Sequence, residues 1–265
     1  MATRSKVNRV YSMSYELTQI PFREPKPRQN GLTMVMDKGL SFREAEDFLS
    51  VAGAYADIIK LGFGTAYVTP NLEKKLDLYR EYGISVYFGG TLFEAFVIRD
   101  QLDDYKRMVE KFQIKIVEVS DGSMNIDHPT KCNYITELAK EVIVISEVGS
   151  KDIEKIIPPY KWIEQMKAEL KAGSWKVIAE ARESGTIGIF RGNGEVRSGL
   201  VEEILTKIPA EKIIWEAPQK EQQIWFVKLL GSNVNLGNIA PNEVLPLETV
   251  RLGLRGDSFD FFLNR

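Results

Sequence analysis

The sequence predicts a single (β/α)8 barrel that follows a short N-terminal extension. The chain has 265 residues, of which 44% are hydrophobic and 27% are charged, and both values are usual for one soluble barrel domain. Eight short apolar runs alternate with segments whose apolar residues recur every three or four positions. That alternation is typical of parallel strands joined by helices. An open, doubly wound sheet is the alternative, because periodicity does not distinguish it from a closed one.

Each apolar run is bounded by turn residues and is expected to form one strand. The runs are Leu32–Met36, Asp57–Leu61, Ser85–Phe88, Ile114–Val119, Val142–Ser146, Lys176–Ala179, Ile213–Trp215 and Asn233–Leu236. The segments between them carry apolar residues on charged backgrounds and are the expected helices. They include Phe42–Ala54, Leu72–Tyr82, Leu102–Phe112, Thr130–Lys140, Ile163–Ala172, Val201–Lys207 and Gln219–Leu229.

Two segments lie outside this alternation. Residues 1–30 contain several prolines in a polar setting, which predicts an extended arm that packs on the barrel of residues 31–265 or reaches a neighbouring subunit. Residues 188–197 place apolar residues on both sides of Gly192-Asn193-Gly194, which predicts a small hairpin inserted after the sixth strand. The hairpin is interpreted either as a lid or as an excursion on the rim of the barrel.

The composition excludes several kinds of chemistry. One histidine (His128) and one cysteine (Cys132) rule out an internal disulfide, a multi-cysteine metal site and a site built on two histidines. The formal net charge of −2 does not indicate a nucleic-acid partner. No apolar run is long enough to predict a membrane helix, and no signal-peptide pattern follows the basic start. We therefore expect a cytoplasmic protein that uses acids, lysines and arginines.

Charged residues and glycines stand at the ends of the expected strands, and in a barrel these ends converge on one mouth. The ends of the first four are Asp37-Lys38-Gly39, Lys60-Leu61-Gly62, Gly89-Gly90-Thr91 and Glu118-Val119-Ser120-Asp121. The ends of the next three are Glu147-Val148-Gly149-Ser150-Lys151, Glu180-Ala181-Arg182-Glu183-Ser184 and Glu216-Ala217-Pro218-Gln219-Lys220, and the eighth strand carries Asn233 and Asn235 before Gly237-Asn238. The active site is expected at this mouth.

Carboxylates at the strand ends form the expected metal site. An unpaired carboxylate costs several kcal/mol beside apolar strands unless it meets a cation or hydrogen-bond donors. Oxygen ligands without histidine favour a hard cation such as Mg²⁺. The candidate ligands are Glu118, Asp121, Glu147, Glu180 and Glu216. The cations in the same motifs indicate an anionic substrate: Lys38, Lys60, Lys151, Arg182 and Lys220. The alternatives are structural ion-pair layers for the set and, for Asp37 and Asp121, helix N-caps.

Together these motifs resemble the phosphosulfolactate synthase family, and they run in order from residue 32 to residue 257. The matching segments are Met36-Asp37-Lys38-Gly39-Leu40, Lys60-Leu61-Gly62-Phe63-Gly64-Thr65, Tyr87-Phe88-Gly89-Gly90-Thr91-Leu92-Phe93-Glu94, Glu118-Val119-Ser120-Asp121-Gly122, Ser146-Glu147-Val148-Gly149, Glu180-Ala181-Arg182-Glu183-Ser184-Gly185, Glu216-Ala217-Pro218-Gln219-Lys220, Ser232-Asn233-Val234-Asn235-Leu236 and Leu247-Glu248-Thr249-Val250-Arg251-Leu252-Gly253-Leu254-Arg255-Gly256-Asp257. The resemblance therefore covers nearly the whole expected barrel.

The resemblance implies an enzyme of the carbon–sulfur lyase class that adds sulfite to phosphoenolpyruvate with Mg²⁺ and gives (2R)-2-phospho-3-sulfolactate, a step of coenzyme M biosynthesis. With no histidine at the mouth, a lysine is the expected proton donor. Lys151 is the first candidate, and Lys38 and Lys60 are the alternatives. The expected substrate contacts are Asp37, Arg182, Ser184, Lys220, Asn235, Arg251 and Arg255.

Some alternatives remain open within that resemblance. The family also includes plant heat-stress-associated relatives, so a chaperone-like thermotolerance role is one alternative. A barrel enzyme acting on a different phosphoenolpyruvate-like substrate is another. Arg251 and Arg255 follow the last expected strand and serve a subunit contact in the alternative interpretation. The resemblance and the extended arm together predict a homo-oligomer, with a trimer as the expected form.

Overall fold

The predicted (β/α)8 barrel is confirmed by a computed structural model, which describes residues 15, 17–149 and 157–263. Eight strands, parallel wherever they pair, form one sheet in the order β3-β2-β1-β8-β7-β6-β5-β4. Their bounds are β1 (Thr33–Asp37), β2 (Ile58–Leu61), β3 (Ser85–Phe88), β4 (Ile116–Val119), β5 (Ile143–Val148), β6 (Lys176–Ala179), β7 (Ile213–Glu216) and β8 (Leu236–Ile239).

Helices follow the strands along the chain. They are α1 (Phe42–Ala52), α2 (Thr65–Val68), α3 (Leu72–Glu81), α4 (Gly90–Val97), α5 (Leu102–Lys111), α6 (His128–Leu138), α7 (Pro159–Ala172), α8 (Ser198–Leu205), α9 (Lys220–Leu230) and α10 (Val244–Arg251). Local signals fix several starts: Ser41 and Glu44 form a capping box on α1, and the Asp127 side chain caps α6. Within the described residues, no helix is long and apolar enough to cross a membrane.

One seam interrupts the ring of strand ladders. Within the described residues, no backbone ladder joins β3 to β4, whereas every other pair of neighbouring strands is hydrogen-bonded. The Glu118 carboxylate on β4 crosses the seam and accepts a hydrogen bond from the backbone N–H of Gly90 at 2.7 Å. A side chain thus closes the barrel where backbone pairing stops.

The eighth strand shares only Leu236 with its predicted range, while the other seven overlap theirs more fully. The expected strand was Asn233–Leu236, but β8 spans Leu236–Ile239. The Gly-Asn pair at 237–238 resembles a turn signal, yet it lies inside the strand as a β-bulge: Leu236 aligns with Thr33, and Ile239 aligns with Val35. The shift moves Asn235 from the expected mouth to the opposite end of the barrel.

That opposite end is closed by a polar layer that includes part of the N-terminal arm. Arg23 pairs with Glu248 at 3.0 Å, and Arg28 pairs with Asp57 at 3.0 Å. Asp57 also accepts a hydrogen bond from the backbone N–H of Thr33, the first residue of β1. Residues 23–28 therefore pack on the barrel, as one of the two interpretations of the arm predicts.

The predicted hairpin after the sixth strand is present. Phe190 and Val196 form an antiparallel bridge, and the N–H of Arg191 donates to the carbonyl of Glu195. Gln222 of α9 donates to the carbonyls of Gly185 and Gly194. These bonds tie the hairpin to the rim and support its interpretation as an excursion.

Candidate active site

The interior of the barrel carries alternate residues of each strand. Trp215 of β7 stacks on Phe226 of α9 and so faces outward, which turns Glu216 inward. A side chain added at Gly237 would meet Met34, Ile214 and Glu216, so these residues share the interior. The same alternation of side chains along the strands points Lys60, Glu118 and Glu147 into the barrel, where Lys60 approaches both carboxylates.

Lys60 is the charged centre of this interior. Its ammonium lies 3.0 Å from Glu118, 3.5 Å from Glu216 and 3.7 Å from Glu147. Burial alone would lower the pKa of Lys60, but these carboxylates and the neighbouring Tyr87 raise it well above the usual value. Lys60 therefore remains an ammonium at neutral pH, which favours a charge-stabilising role over proton transfer.

Three of the five predicted metal ligands come together at the ends of β5, β6 and β7. One carboxylate oxygen from each of Glu147, Glu180 and Glu216 lies within 4.8 Å of the others, and all three residues are buried. Burial, with repulsion from Glu147 and Glu118, raises the pKa of Glu216 to about 7, although Lys60 opposes the shift. Oxygen ligands at this spacing fit a hard divalent cation.

The other two predicted ligands lie elsewhere. Glu118 is held by Lys60 and by Gly90 at the seam. Asp121 pairs at 2.9 Å with Lys131, a fully buried lysine of α6. Lys131 also pairs with Glu169 and donates to the backbone carbonyl of Glu147 at 2.5 Å. The structure therefore places Asp121 in an ion-pair cluster behind β5 and does not bring it to the three carboxylates.

Lys131 and Glu94 are polar residues that the sequence prediction did not assign to the site. Glu94 of α4 is buried and accepts hydrogen bonds from the Ser120 hydroxyl and from the N–H of Ser123. These bonds fix the loop that follows β4. The sequence gave no reason to place Lys131 at the site, because a lysine on a helix normally faces solvent. Glu94 could have been assigned to it, because Glu94 lies in the motif after the third strand.

Basic residues lie on the rim above the carboxylates, and several of them are paired. Lys38, after β1, pairs at 3.0 Å with Glu183, after β6, and about half of each side chain is exposed. Lys220 lies 3.2 Å from Asp257, which also pairs with Arg255 at 3.4 Å. Arg182, Glu183 and Ser184 are exposed in the loop after β6. The rim thus presents cations that an anionic ligand can reach.

Asp37 has a structural position. Its carboxylate accepts from the N–H groups of Gly39 and Leu40, from the Tyr79 hydroxyl at 2.8 Å, and from Lys75 at 2.5 Å. It is 1% exposed. Asp37 therefore shapes the loop that carries Lys38, and its carboxylate is shielded from solvent by these partners.

Two predicted substrate-binding residues, Asn235 and Arg251, lie away from the mouth of the barrel. Asn235 accepts from the N–H of Leu32 and donates to the carbonyl of Ile213, and buried Arg251 donates to the carbonyls of Ser232 and Val234. Both lie at the closed end, so the expectation that they line the mouth is wrong. Lys151, the expected proton donor, lies outside the described residues.

The chain is similar to known proteins over most of its length. A family model described as (2R)-phospho-3-sulfolactate synthase (ComA) matches residues 21–257. The phosphosulfolactate synthases of Methanocaldococcus jannaschii and Methanothermobacter thermautotrophicus are 42% and 40% identical to the chain, covering 87% and 90% of it and 94% and 95% of their own lengths. The phosphosulfolactate synthase of Bacillus subtilis is 38% identical, covering 91% of this chain and 97% of its own.

Solved structures agree on the architecture. The 3-hexulose-6-phosphate synthase of Salmonella typhimurium has a TM-score of 0.54 to the chain at 14% identity, covering 84% of this chain and 100% of its own. At that identity the likeness shows the barrel fold alone. The family match and the three relatives cover most of the barrel and its mouth. The chain therefore belongs to the (2R)-phospho-3-sulfolactate synthase family of enzymes.

Proposed function

We propose that the protein adds sulfite to phosphoenolpyruvate in a Mg²⁺-dependent reaction that forms (2R)-2-phospho-3-sulfolactate. The observation that carries the proposal is the buried group of Glu147, Glu180 and Glu216 beneath a rim that includes Lys38, Arg182 and Lys220. The group fits a hard cation, and the rim fits the oxyanions of both substrates. The family match supports the same reaction.

The proposed reaction joins one sulfite and one proton to phosphoenolpyruvate. The sulfur lone pair of sulfite forms a bond to the methylene carbon C3, and the C2–C3 π electrons move into the substrate carboxylate. C2 then takes one proton and those electrons return to form the C2–H bond, so the phosphate stays on C2 and nothing is oxidised or reduced overall. The step therefore needs groups that hold negative charge on the carboxylate and one proton donor above C2.

The residues of this chain would divide those tasks. Glu147, Glu180 and Glu216 would hold Mg²⁺, which when bound would neutralise charge on the substrate carboxylate. Lys60 would stabilise the same charge, because its pKa is raised and it keeps its proton. Its motif position makes Lys151 the proposed proton donor. Lys38 would break its ion pair with Glu183 and bind an oxyanion of the substrate.

Purified protein tests the proposal directly. With phosphoenolpyruvate, sulfite and Mg²⁺ it should consume sulfite and form an organic sulfonate that retains phosphate, detectable by ¹³C and ³¹P NMR. Removal of divalent cations should abolish turnover, and Mg²⁺ should restore it. Absence of any sulfonate product under these conditions would refute the proposal.

A pair of variants tests the cation site. Glu180→Gln should raise the Mg²⁺ concentration needed for half-maximal activity by about tenfold or more. Glu164→Gln removes the same charge from an exposed position on α7 and should leave that concentration unchanged. Equal Mg²⁺ requirements in the two variants would exclude Glu180 as a ligand.

A further inference from the structure

Lys131 of α6 is a buried lysine that the proposed reaction leaves without a role. It is 1% exposed. Its ammonium lies 2.9 Å from both Asp121 and Glu169, and it donates to the backbone carbonyl of Glu147. A lysine ammonium has three N–H groups, so these three acceptors use all of them. Burial alone would lower the pKa of Lys131, but Glu169 and Asp121 raise it above the usual value. The three donors therefore persist at neutral pH.

The Glu147 carbonyl lies just beyond the ladder that joins β4 to β5. The last aligned pair of these strands is Val119 and Ser146, one residue before Glu147. The carbonyl of Val148 accepts from the N–H of Glu180 on the β6 side. Successive carbonyls of a strand point to opposite sides, so the Glu147 carbonyl points to the side of β4. Lys131 therefore takes the place of a strand partner there.

The same residue supplies one of the three carboxylates of the candidate cation site. The oxygens of Glu147, Glu180 and Glu216 lie within 4.8 Å of one another, and Mg²⁺ requires nearly ideal positions of its ligands. The chain bends two residues after Glu147, at Gly149, whose φ of +142° favours glycine. A bond that fixes the backbone of Glu147 at this end of β5 also limits where its carboxylate can lie. Outer groups that hold a ligand in this way raise metal affinity.

A second buried helix lysine makes the same kinds of contact at another strand end. Lys75 of α3 is 3% exposed, pairs with Asp37 at 2.5 Å and donates to the backbone carbonyl of Leu40. The loop that Lys75 holds follows β1, whereas the three carboxylates lie at the ends of β5, β6 and β7. Lys75 therefore provides a matched comparison for a buried lysine that braces a loop away from the cation site.

We infer that Lys131 is a positioning residue that fixes the end of β5, and with it the Glu147 carboxylate, for a divalent cation. The inference rests on the proposed function and extends it to a residue of α6 that acts through Glu147. Asp121, in the loop after β4, and Glu169, on α7, hold the ammonium in place. The ion-pair cluster behind β5 thus serves the cation site at the mouth.

Titration with Mn²⁺ alone tests the inference without turnover, because carboxylate sites that suit Mg²⁺ also bind Mn²⁺. The electron paramagnetic resonance signal of free Mn²⁺ gives the affinity, and competition by Mg²⁺ identifies the site. Lys131→Met removes the three donors and keeps a similar side-chain volume, and it should bind Mn²⁺ about 10- to 100-fold more weakly than wild type. Lys75→Met is the control: its melting temperature should fall comparably, but its Mn²⁺ affinity should stay that of wild type.

A double variant covers the case in which Lys131→Met alone folds poorly. Lys131→Met leaves the buried Glu169 carboxylate without its lysine, and Lys131→Met/Glu169→Gln removes that charge. The double variant should regain part of the melting temperature and keep the weakened Mn²⁺ binding, because the bond to the Glu147 carbonyl is still missing.

The outcomes separate the inference from the proposed function. Wild-type Mn²⁺ affinity in both Lys131 variants, or an equal loss of affinity in Lys75→Met, would overturn the inference and leave the proposed function intact. Wild-type protein that binds no Mn²⁺ would overturn the inference together with the cation site on which it rests. Wild-type protein that binds Mn²⁺ but makes no sulfonate would instead overturn the proposed function.

Discussion

Replacement of Lys60 by methionine should destabilise the protein by about 3–5 kcal/mol near neutral pH, the usual loss when one partner of a buried ion pair is removed. Lys60 neutralises three carboxylates whose side chains are each 4% exposed or less. The methionine side chain fills a similar volume, so the loss of stability measures the contribution of the lysine charge. The carboxylates left behind would take up protons in the folded state, which makes the loss larger at about pH 8 than at about pH 5.

Urea unfolding of Lys60→Met and wild type at both pH values measures these differences. Lys161→Met is the matched control, because Lys161 pairs with Glu164 on the exposed face of α7 and its loss should cost less than about 1 kcal/mol. The double variant Lys60→Met/Glu118→Gln should recover part of the stability. A loss below about 1 kcal/mol, equal at both pH values, would refute the assignment of Lys60 as the cation that holds the buried carboxylates together.

Two further predictions concern the same mouth. The pKa of Glu216 is raised to about 7, so the Glu216 carboxyl holds its proton more tightly in the folded state than in the unfolded state. This difference stabilises the folded state by on the order of 3 kcal/mol below about pH 4.5. The stabilisation is lost as the pH rises through about 7. Glu216→Gln should flatten that part of the stability–pH curve, and an unchanged slope would contradict the shift. Glu183→Gln removes the partner of Lys38 and should lower the KM for phosphoenolpyruvate by up to about fivefold. Glu202→Gln on α8 is the control and should leave the KM unchanged. An unchanged KM in Glu183→Gln would contradict the proposed role of Lys38.

The sequence predicted the barrel because buried parallel strands and amphipathic helices differ clearly in period. It also predicted that Glu147, Glu180 and Glu216 converge, since residues at the carboxyl ends of strands share one mouth. These two predictions depend only on where the strands lie in the sequence and where each one ends, which short apolar runs indicate well. Mg²⁺ itself and the proton donor remain predictions.

The errors have a common physical origin in tertiary packing. The bulge in β8 adds a residue to one strand only, and no local pattern distinguished Asn235 from Asn238. Arg251 occupies the last turn of a helix, where a basic residue is usual at the surface. Burial of Arg251 and of Lys131 depends on carbonyls and carboxylates that are distant in the chain, so their local sequence gave no sign of it.

Glu118 links the seam to the chemistry of the mouth. Its carboxylate binds the Gly90 amide, which joins β4 to α4, and also binds the Lys60 ammonium. A ligand that draws the Lys60 ammonium away from Glu118 would weaken that ion pair. The Glu118 carboxylate would then accept a stronger hydrogen bond from the Gly90 amide. Occupancy of the mouth would then slow amide hydrogen exchange along β4 and at the start of α4, which gives a solution measurement of ligand binding that does not depend on turnover.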